Sequence, residues 1–197
     1  MMSIRNSLSP DIELVPFADM RDNAALKVAY LSWLNDMDVV RSIASPVLLA
    51  PKGPEFIEDS FKRFTCPECR GFFIRFALDN AFIGTAKLDG ISEYTRSAWD
   101  GIMIGDRRYH GRGLAPKVYR LLLAYAFNVL SLRRVNSGCN ERNIPMIKTF
   151  QHIGYTLEGR LRQADYIDGE YSDHLYFGIL SEEFRAANDV ELMTEER

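Results

Sequence analysis

The stretch RRYHGRGLA, residues 107–115, sets two glycines and three arginines between two apolar runs. AWDGIMIG (98–105), in front, is short and suits a buried strand. PKVYRLLLAYAFNVL (116–130), behind, repeats its apolar residues at helical spacing. Strand, Gly-rich turn and helix together offer backbone N–H groups and the positive end of a helix dipole to an anion, usually a phosphate. The segment therefore fixes a strand-to-helix connection in the middle of the chain and asks which phosphate it holds.

Two familiar answers fail on spacing. A Walker loop needs Gly-Lys followed by a hydroxyl residue, and neither glycine here is followed by that pair. A dinucleotide fingerprint needs G-x-G-x-x-G/A after the first strand of a βαβ unit. Here Gly111-Arg112-Gly113-Leu114-Ala115-Pro116 ends in proline and comes after several strands joined by hairpins. The arrangement that remains is R-x-x-G-x-G, from Arg108 to Gly113. Its bland alternative is a solvated basic turn that uses glycine only for geometry.

The length of 197 residues suits one domain that buries roughly 70% of its unfolded surface. A net charge of −3 and a pI near 5.7 argue against a general nucleic-acid or anionic-membrane surface. No apolar run approaches the roughly 18 residues of a membrane span, and the first residues lack a signal-peptide core. Three cysteines are too few and too odd for a disulfide framework, so the expected compartment is the reduced cytoplasm. Cys66 and Cys69 form a C-x-x-C. The further zinc ligands available, Cys139, His110, His152 and His174, are scattered, and the pair precedes a strand rather than opening a helix. A turn held by Pro67 is the favoured reading, and no metal site is expected.

Along the chain, IELVPF reads as a strand and DNAALKVAYLSWLND as a helix with Leu26, Ala29, Tyr30, Trp33 and Leu34 at helical spacing. SPVLLAPKGP reads as loop and PEFIEDSFKRF as a short helix. GFFIRFALDNAFIGTAKL reads as a hairpin turning at Asp79-Asn80. After the SAWDGIMIG strand, the helix carries Val118, Leu121, Leu122, Tyr125 and Val129 on its buried stripe, with Pro116 in its first turn. RRVNSGC is a strand, IPMIKTFQHI a helix stopped by Gly154, and YTLEGRLR and EYSDHLYFGIL two further strands around Asp168-Gly169. The expected fold class is α/β (α+β): one mixed, mostly antiparallel sheet of about seven strands flanked by helices. The expected domain spans residues 1–185, with an acidic C-terminal tail at 186–197.

The R-x-x-G-x-G element resembles the pyrophosphate-binding motif of the GNAT superfamily of acetyl-CoA-dependent N-acetyltransferases. SWLND, FIGTAKL, GIMIGDRRYHGRGLA, CNERNIPMIKTFQHIGY and YIDGEYSDHLYFGIL follow one another in the order of that family, over roughly residues 10–185. The pattern is nearest to the branch that acetylates ribosomal-protein N-termini, amino sugars and other small amines. The resemblance implies two central strands that splay apart, with acetyl-CoA in the gap. It implies that the backbone of Ile102, Met103 and Ile104 pairs with pantetheine. The N–H groups of Arg108 to Gly113, with Gly111 and Gly113 giving close approach and Leu114 opening the helix, would take the pyrophosphate. Arg108, Arg112 and Arg107 or Lys117 would add charge. Asn143 would contact pantetheine and Lys148 an adenosine phosphate. Trp33-Leu34-Asn35-Asp36 and Tyr166 to Tyr171 would line the acceptor side.

Catalytic residues are less legible. The family commonly takes a general acid from a serine three residues, or a tyrosine seven residues, after the asparagine. Those positions hold Met146 and Phe150, which carry no transferable proton. A thiol's pKa near 8.5 makes its thiolate a tolerable leaving group without that acid. Where relatives carry a strand glutamate, this chain has Trp99, leaving Asp100 and, in the loop before the strand, Glu93 as candidate bases. An α-amine costs about 1–1.4 kcal/mol to deprotonate at pH 7 against about 4–5 for a lysine. The expected acceptor is thus a primary amine of a protein N-terminus or amino sugar rather than a lysine or polyamine. The expected mechanism is direct attack in a ternary complex, in a monomer or homodimer. The alternative is a catalytically weak or inactive acetyl-CoA-binding regulatory module.

Overall fold

A computed structural model describes residues 2–6, 9–43, 50–187 and 192–196. The strands are β1 (Met2–Asn6), β2 (Ile12–Pro16), β3 (Cys69–Phe76), β4 (Ala81–Ser92), β5 (Ser97–Ile104), β6 (Arg134–Asn140), β7 (Thr156–Ile167), β8 (Glu170–Leu180) and β9 (Leu192–Glu196). They form one sheet in the order β7-β8-β6-β5-β4-β3-β2-β1-β9. Every neighbouring pair is antiparallel except β5 and β6, which run parallel. The helices are α1 (Ala24–Leu34), α2 (Met37–Val40), α3 (Pro54–Arg63), α4 (Leu114–Ala124), α5 (Ile144–Ile153) and α6 (Ser181–Ala187).

Local chemistry sets the element ends. Asn23 caps α1 by accepting the Leu26 N–H at 3.0 Å. Pro54 opens α3, with Glu55 in its first turn and Lys62 and Arg63 in its last, matching the helix dipole. The β3–β4 hairpin turns at Asp79-Asn80 as expected, with Asn80 at φ 58° and Asp79 Oδ1 accepting the Ala81 N–H. Gly154, at φ 104°, ends α5.

Because successive strand residues face opposite sides, the sheet has two cores. Ala98, Val135, Cys139, Leu175, Phe177 and Ile179 face α4, α5 and α6. Val15, Phe73 and Met103 face α1 and α3, where Phe17 stacks on Phe73 with ring centroids 4.0 Å apart.

Among the described residues the seven expected strands are joined by two more, β1 and β9, at one edge of the mixed, mostly antiparallel sheet. Residues 192–196 of the expected acidic tail pair with β1 along its edge. Backbone pairing at an open sheet edge needs no hydrophobic alternation, so composition did not show it. Val129 is 50% exposed, off the buried stripe. The last turn of the long helix, Tyr125–Val129, winds as a π-helix, and the wider turn rotates Val129 outward while Tyr125 stays buried. Residues 45–49, half of the expected SPVLLAPKGP loop, lie outside the described residues. Cys66 and Cys69 close a turn, the Cys69 N–H donating to the Cys66 carbonyl at 3.1 Å. Burial, with Asp89 nearby, pushes the Cys69 thiol up to about 12.

Candidate active site

The parallel β5–β6 ladder is short. Ser97, Ala98 and Trp99 pair with Arg134, Val135 and Asn136, and there it stops, although β5 runs on to Ile104 and β6 to Asn140. The outer edges stay paired throughout, Ile104 with Gly84 on β4 and Asn140 with His174 on β8. The two strands are thus held apart from outside while a gap opens between them. The inner edge of β5 beyond Trp99, including Ile102, has no strand partner, whereas the Met103 carbonyl is turned toward Gly84 of β4, which departs from the expectation that the Met103 backbone faces the gap. Backbone groups in such a gap need an occupant that can hydrogen-bond, as an amide-bearing chain can. At its far end, His110 Nε2 lies 2.7 Å from the Ile104 carbonyl.

The loop after β5 is fastened at its root and open at its tip. The Gly105 and Asp106 N–H groups both donate to the Ile83 carbonyl, at 2.8 and 3.0 Å. Trp33 of α1 packs so closely on Gly105 that a Cβ there would meet the indole at 2.3 Å. Asp106 accepts the Arg108 N–H at 3.0 Å and pairs with the Arg108 guanidinium at 2.6 Å. Arg108 holds the Asp106 carboxyl below the usual carboxylate range. Gly111 and Gly113 take left-handed φ values of 72° and 68°, and added Cβ atoms would meet nothing within 4 Å. No side chain caps α4, which starts at Leu114. An uncapped helix end behind two open glycines leaves backbone N–H groups available to an anion. Beside it, the Arg112 guanidinium lies 4.9 Å over the Tyr109 ring. Arg107 and Lys117 are engaged elsewhere, with Asp38 at 2.7 Å and Asp11 at 2.6 Å.

Across the gap, Asn143 caps α5 by accepting the Met146 N–H at 3.2 Å, and Lys148 is exposed on the same helix. Met146 is half-buried. Phe150 is fully buried among the rings of Tyr119, Tyr155 and Phe177, 4.8–5.4 Å away. A phenol at that position would need a hydrogen-bond partner; a phenyl ring does not.

Of the candidate bases, Asp100 occupies the first position past the ladder, but its carboxylate faces α4 and α5. There it is buried, and the Tyr155 hydroxyl donates to Oδ2. Burial pushes its carboxyl up to about 7, against the pull of the Ser137 and Tyr155 hydroxyls and of Lys87. Glu93 is exposed in the β4–β5 turn, at the end of β5 away from the gap. Strand alternation and chain direction thus keep both carboxylates from the opposite face of the splay.

That opposite face is lined by residues to which the sequence assigned no catalytic part. Two residues beyond Trp99 and Asn136, where the ladder has ended, stand Gly101 on β5 and Gly138 on β6, so neither strand puts a Cβ of its own into the window between them; Lys87 lies against the one and His174 over the other. Trp99 and Tyr176 meet edge-on at its rim, 5.7 Å between centroids. His174 Nε2 lies over Gly138, 2.6 Å from where a Cβ would stand. Its Nδ1 is 2.9 Å from Asp165 Oδ2. Asp165 also accepts from Asn140 Nδ2 at 2.9 Å, and the same Nδ2 reaches Ser172 Oγ at 2.6 Å. Sequence spacing could not reveal the pair, because a register shift between Leu161 and Asp165 in β7 sets which residues of β8 Asp165 stands beside. On the helix-side face, burial and Asp165 push the Cys139 thiol up to about 12, unlike an activated thiolate.

Comparison with known proteins agrees with this architecture. The family profile described as "Acetyltransferase (GNAT) domain" matches residues 12–156. YjcK of Bacillus subtilis, named a probable N-acetyltransferase, is 33% identical over 113 residues, covering 56% of this chain and 61% of that protein. The spermidine N(1)-acetyltransferase of Escherichia coli K12 is 28% identical over 108 residues, 55% of this chain and 58% of that one. These matches span a little over half the length of the curated relatives. Among solved structures, the Vibrio cholerae spermidine N-acetyltransferase in complex with CoA and spermine superposes with a TM-score of 0.71 at 21% identity, covering 93% of this chain and 98% of that one. An acetyltransferase of the same family from Bacillus anthracis also gives 0.71, at 20% identity, covering 92% and 99%. Among the described residues, no helix is long and apolar enough to cross a membrane, and no group of three or more potential metal ligands is found.

Proposed function

The chain belongs to the GNAT acetyltransferase family, and from that premise we propose that it transfers the acetyl group of acetyl-CoA to a primary amine by direct attack in a ternary complex. The observation that carries this reading is the continuity of the open gap with the glycine loop. The edge of β5 that lacks a strand partner leads straight into the loop that ends at Gly111, Gly113 and the uncapped start of α4. Ile102 and Ile104 would bind pantetheine through their backbone. Arg108, Gly111, Arg112, Gly113 and Leu114 would hold the pyrophosphate, with Asn143 and Lys148 on the facing helix. Bound there, acetyl-CoA supplies an activated acyl group with a thiolate leaving group. The chain's own contribution is to orient that group in the splay and to admit the amine from the window face.

The acceptor is a small primary amine or a protein N-terminus. Spermidine acetyltransferases among the relatives support an amine acceptor in general. The carboxylates around the expected acceptor region favour one of low charge, because each already has an arginine partner. Asp38 pairs with Arg107 at 2.7 Å, Asp168 with Arg41 at 3.3 Å, and Glu170 with Arg142 at 2.8 Å. A polycation would have to displace these pairs. The test is thiol release from acetyl-CoA with a panel of amines: a peptide with a free N-terminus, an amino sugar, spermidine and a lysine peptide. Turnover is expected with the less basic amines. A clear preference for spermidine or lysine would overturn the low-charge acceptor. No thiol release with any amine, despite acetyl-CoA binding, would favour the non-catalytic module suggested by Met146 and Phe150.

A further inference from the structure

Building on the amine-transfer reading above, we propose that His174 is the general base of this site and that Asp165 is its positioning residue. Asp165 accepts hydrogen bonds at both Nδ1 distances, 2.9 and 3.2 Å, so the neutral ring carries its hydrogen on Nδ1. Nε2 is then left with a lone pair, and that nitrogen lies over Gly138, at the window between the splayed strands. Asp165 is fixed in turn by Asn140, so the ring has a defined tilt. Gly138 has a function of its own here, because any side chain would displace the imidazole from the opening.

Other groups near the window do not serve. Lys87, whose side chain lies against Gly101, is a cation already paired with Asp89 at 3.0 Å. Tyr176 belongs to the aromatic rim, with its ring 5.1 Å from that of His174. Asp100 is on the other face of the sheet. Among the described residues that face the window, His174 is the group with both a free acceptor lone pair and a carboxylate behind it.

The step balances without another reactant. The amine nitrogen forms its bond to the acetyl carbonyl carbon, and the carbon–sulfur bond breaks with its electron pair on sulfur. The proton lost by nitrogen passes to Nε2 and then, through solvent, to the thiolate. One residue thus takes up the proton and returns it to the leaving group, which addresses the absence of a hydroxyl at positions 146 and 150.

The experiment compares the full-length wild type with His174→Ala, His174→Gln and Asp165→Asn, using the amine that the wild type acetylates best. Acetyl-CoA-dependent thermal stabilisation is measured alongside to show that each variant folds and binds. Both His174 variants are expected to lose roughly 10²–10³-fold in kcat while the thermal response is retained. Added imidazole should restore part of the rate to His174→Ala but not to His174→Gln, whose side chain fills the space. Asp165→Asn should lose less, and the His174→Ala/Asp165→Asn double variant no more than His174→Ala, because the two act as a unit. A kcat within about threefold of wild type in a His174 variant that binds acetyl-CoA would overturn the proposal. So would loss of the acetyl-CoA response in both His174 variants, which would assign the residue to holding the sheet. A wild type inactive across the amine panel would overturn the functional reading itself, whereas an active wild type with undiminished His174 variants would overturn only the base.

Discussion

Asp100 is a carboxyl that folding places among phenol rings and apolar side chains, and the energetic consequence follows from its pKa. Folding takes it from an ordinary 3.8 to about 7. Below pH 4 the group is protonated in both folded and unfolded chains. Between pH 4 and 7 the unfolded chain releases the proton first, so the folded state is progressively disfavoured. The cost levels off above pH 7, at up to ~4 kcal/mol for a shift of that size. Asp100→Asn is therefore expected to flatten the fall in stability between pH 4 and 7. Urea unfolding midpoints of wild type and variant across that range check it; parallel curves would show that Asp100 ionises freely in the folded protein. At this scale the sequence showed the missing hydroxyls at Met146 and Phe150. It could not show that Tyr155 would bring a hydroxyl back beside the same ring, bonded to Asp100. It also could not show that the Asp100 side chain would face α4 and α5, because alternation fixes which residues share a face and not which face is covered.

The loop between β5 and α4 uses three glycines for two different reasons, and substitution should separate them. Gly105 is small because Trp33 packs on it, so Gly105→Ala should lower stability by pushing α1 off the loop, with a lower Tm even without ligand. Gly111 and Gly113 stand in open space, so what calls for glycine there is the left-handed backbone and, on the proposed function, the close approach of a pyrophosphate. Gly113→Ala should cost about 1–2 kcal/mol of stability. If the methyl also holds one phosphate oxygen off a backbone N–H, it removes a charge-assisted hydrogen bond of about 1.5–3 kcal/mol, roughly ten- to a hundred-fold in acetyl-CoA affinity. Calorimetric titration of the two variants checks the division, and equal affinity in Gly113→Ala and wild type would remove the pyrophosphate from this loop. Most elements were legible at this scale. Caps such as Asn23 and Asn143, stops such as Gly154, and the Asp79-Asn80 turn are local chemistry. The β1–β9 edge and the π-turn at Tyr125–Val129 were not, because one rests on backbone pairing between chain ends and the other on a winding that apolar period alone does not encode.

At the scale of the whole molecule, the splay divides the sheet into two unequal parts. One holds β9, β1, β2, β3, β4 and β5, and the other β6, β8 and β7. Their direct ladder is three residue pairs long, whereas β6 and β8 share seven. Helices α4 and α5 pack against each other across this junction, Tyr119 against Phe150 and Tyr155. A ligand that pairs with the inner edge of β5 while its phosphates sit at the start of α4 would fill the place where backbone pairing is weakest. Acetyl-CoA at a hundred times its Kd should add about 2.7 kcal/mol, a rise of roughly 5–10 °C in Tm for a chain of this size. Hydrogen exchange locates that energy. Acetyl-CoA should protect the amides of 100–104 and of 111–115 together, whereas 3′-phosphoadenosine 5′-diphosphate, which lacks the pantetheine arm, should protect 111–115 alone. Protection of the loop without the strand edge, even by acetyl-CoA, would mean that the gap between β5 and β6 holds something other than pantetheine.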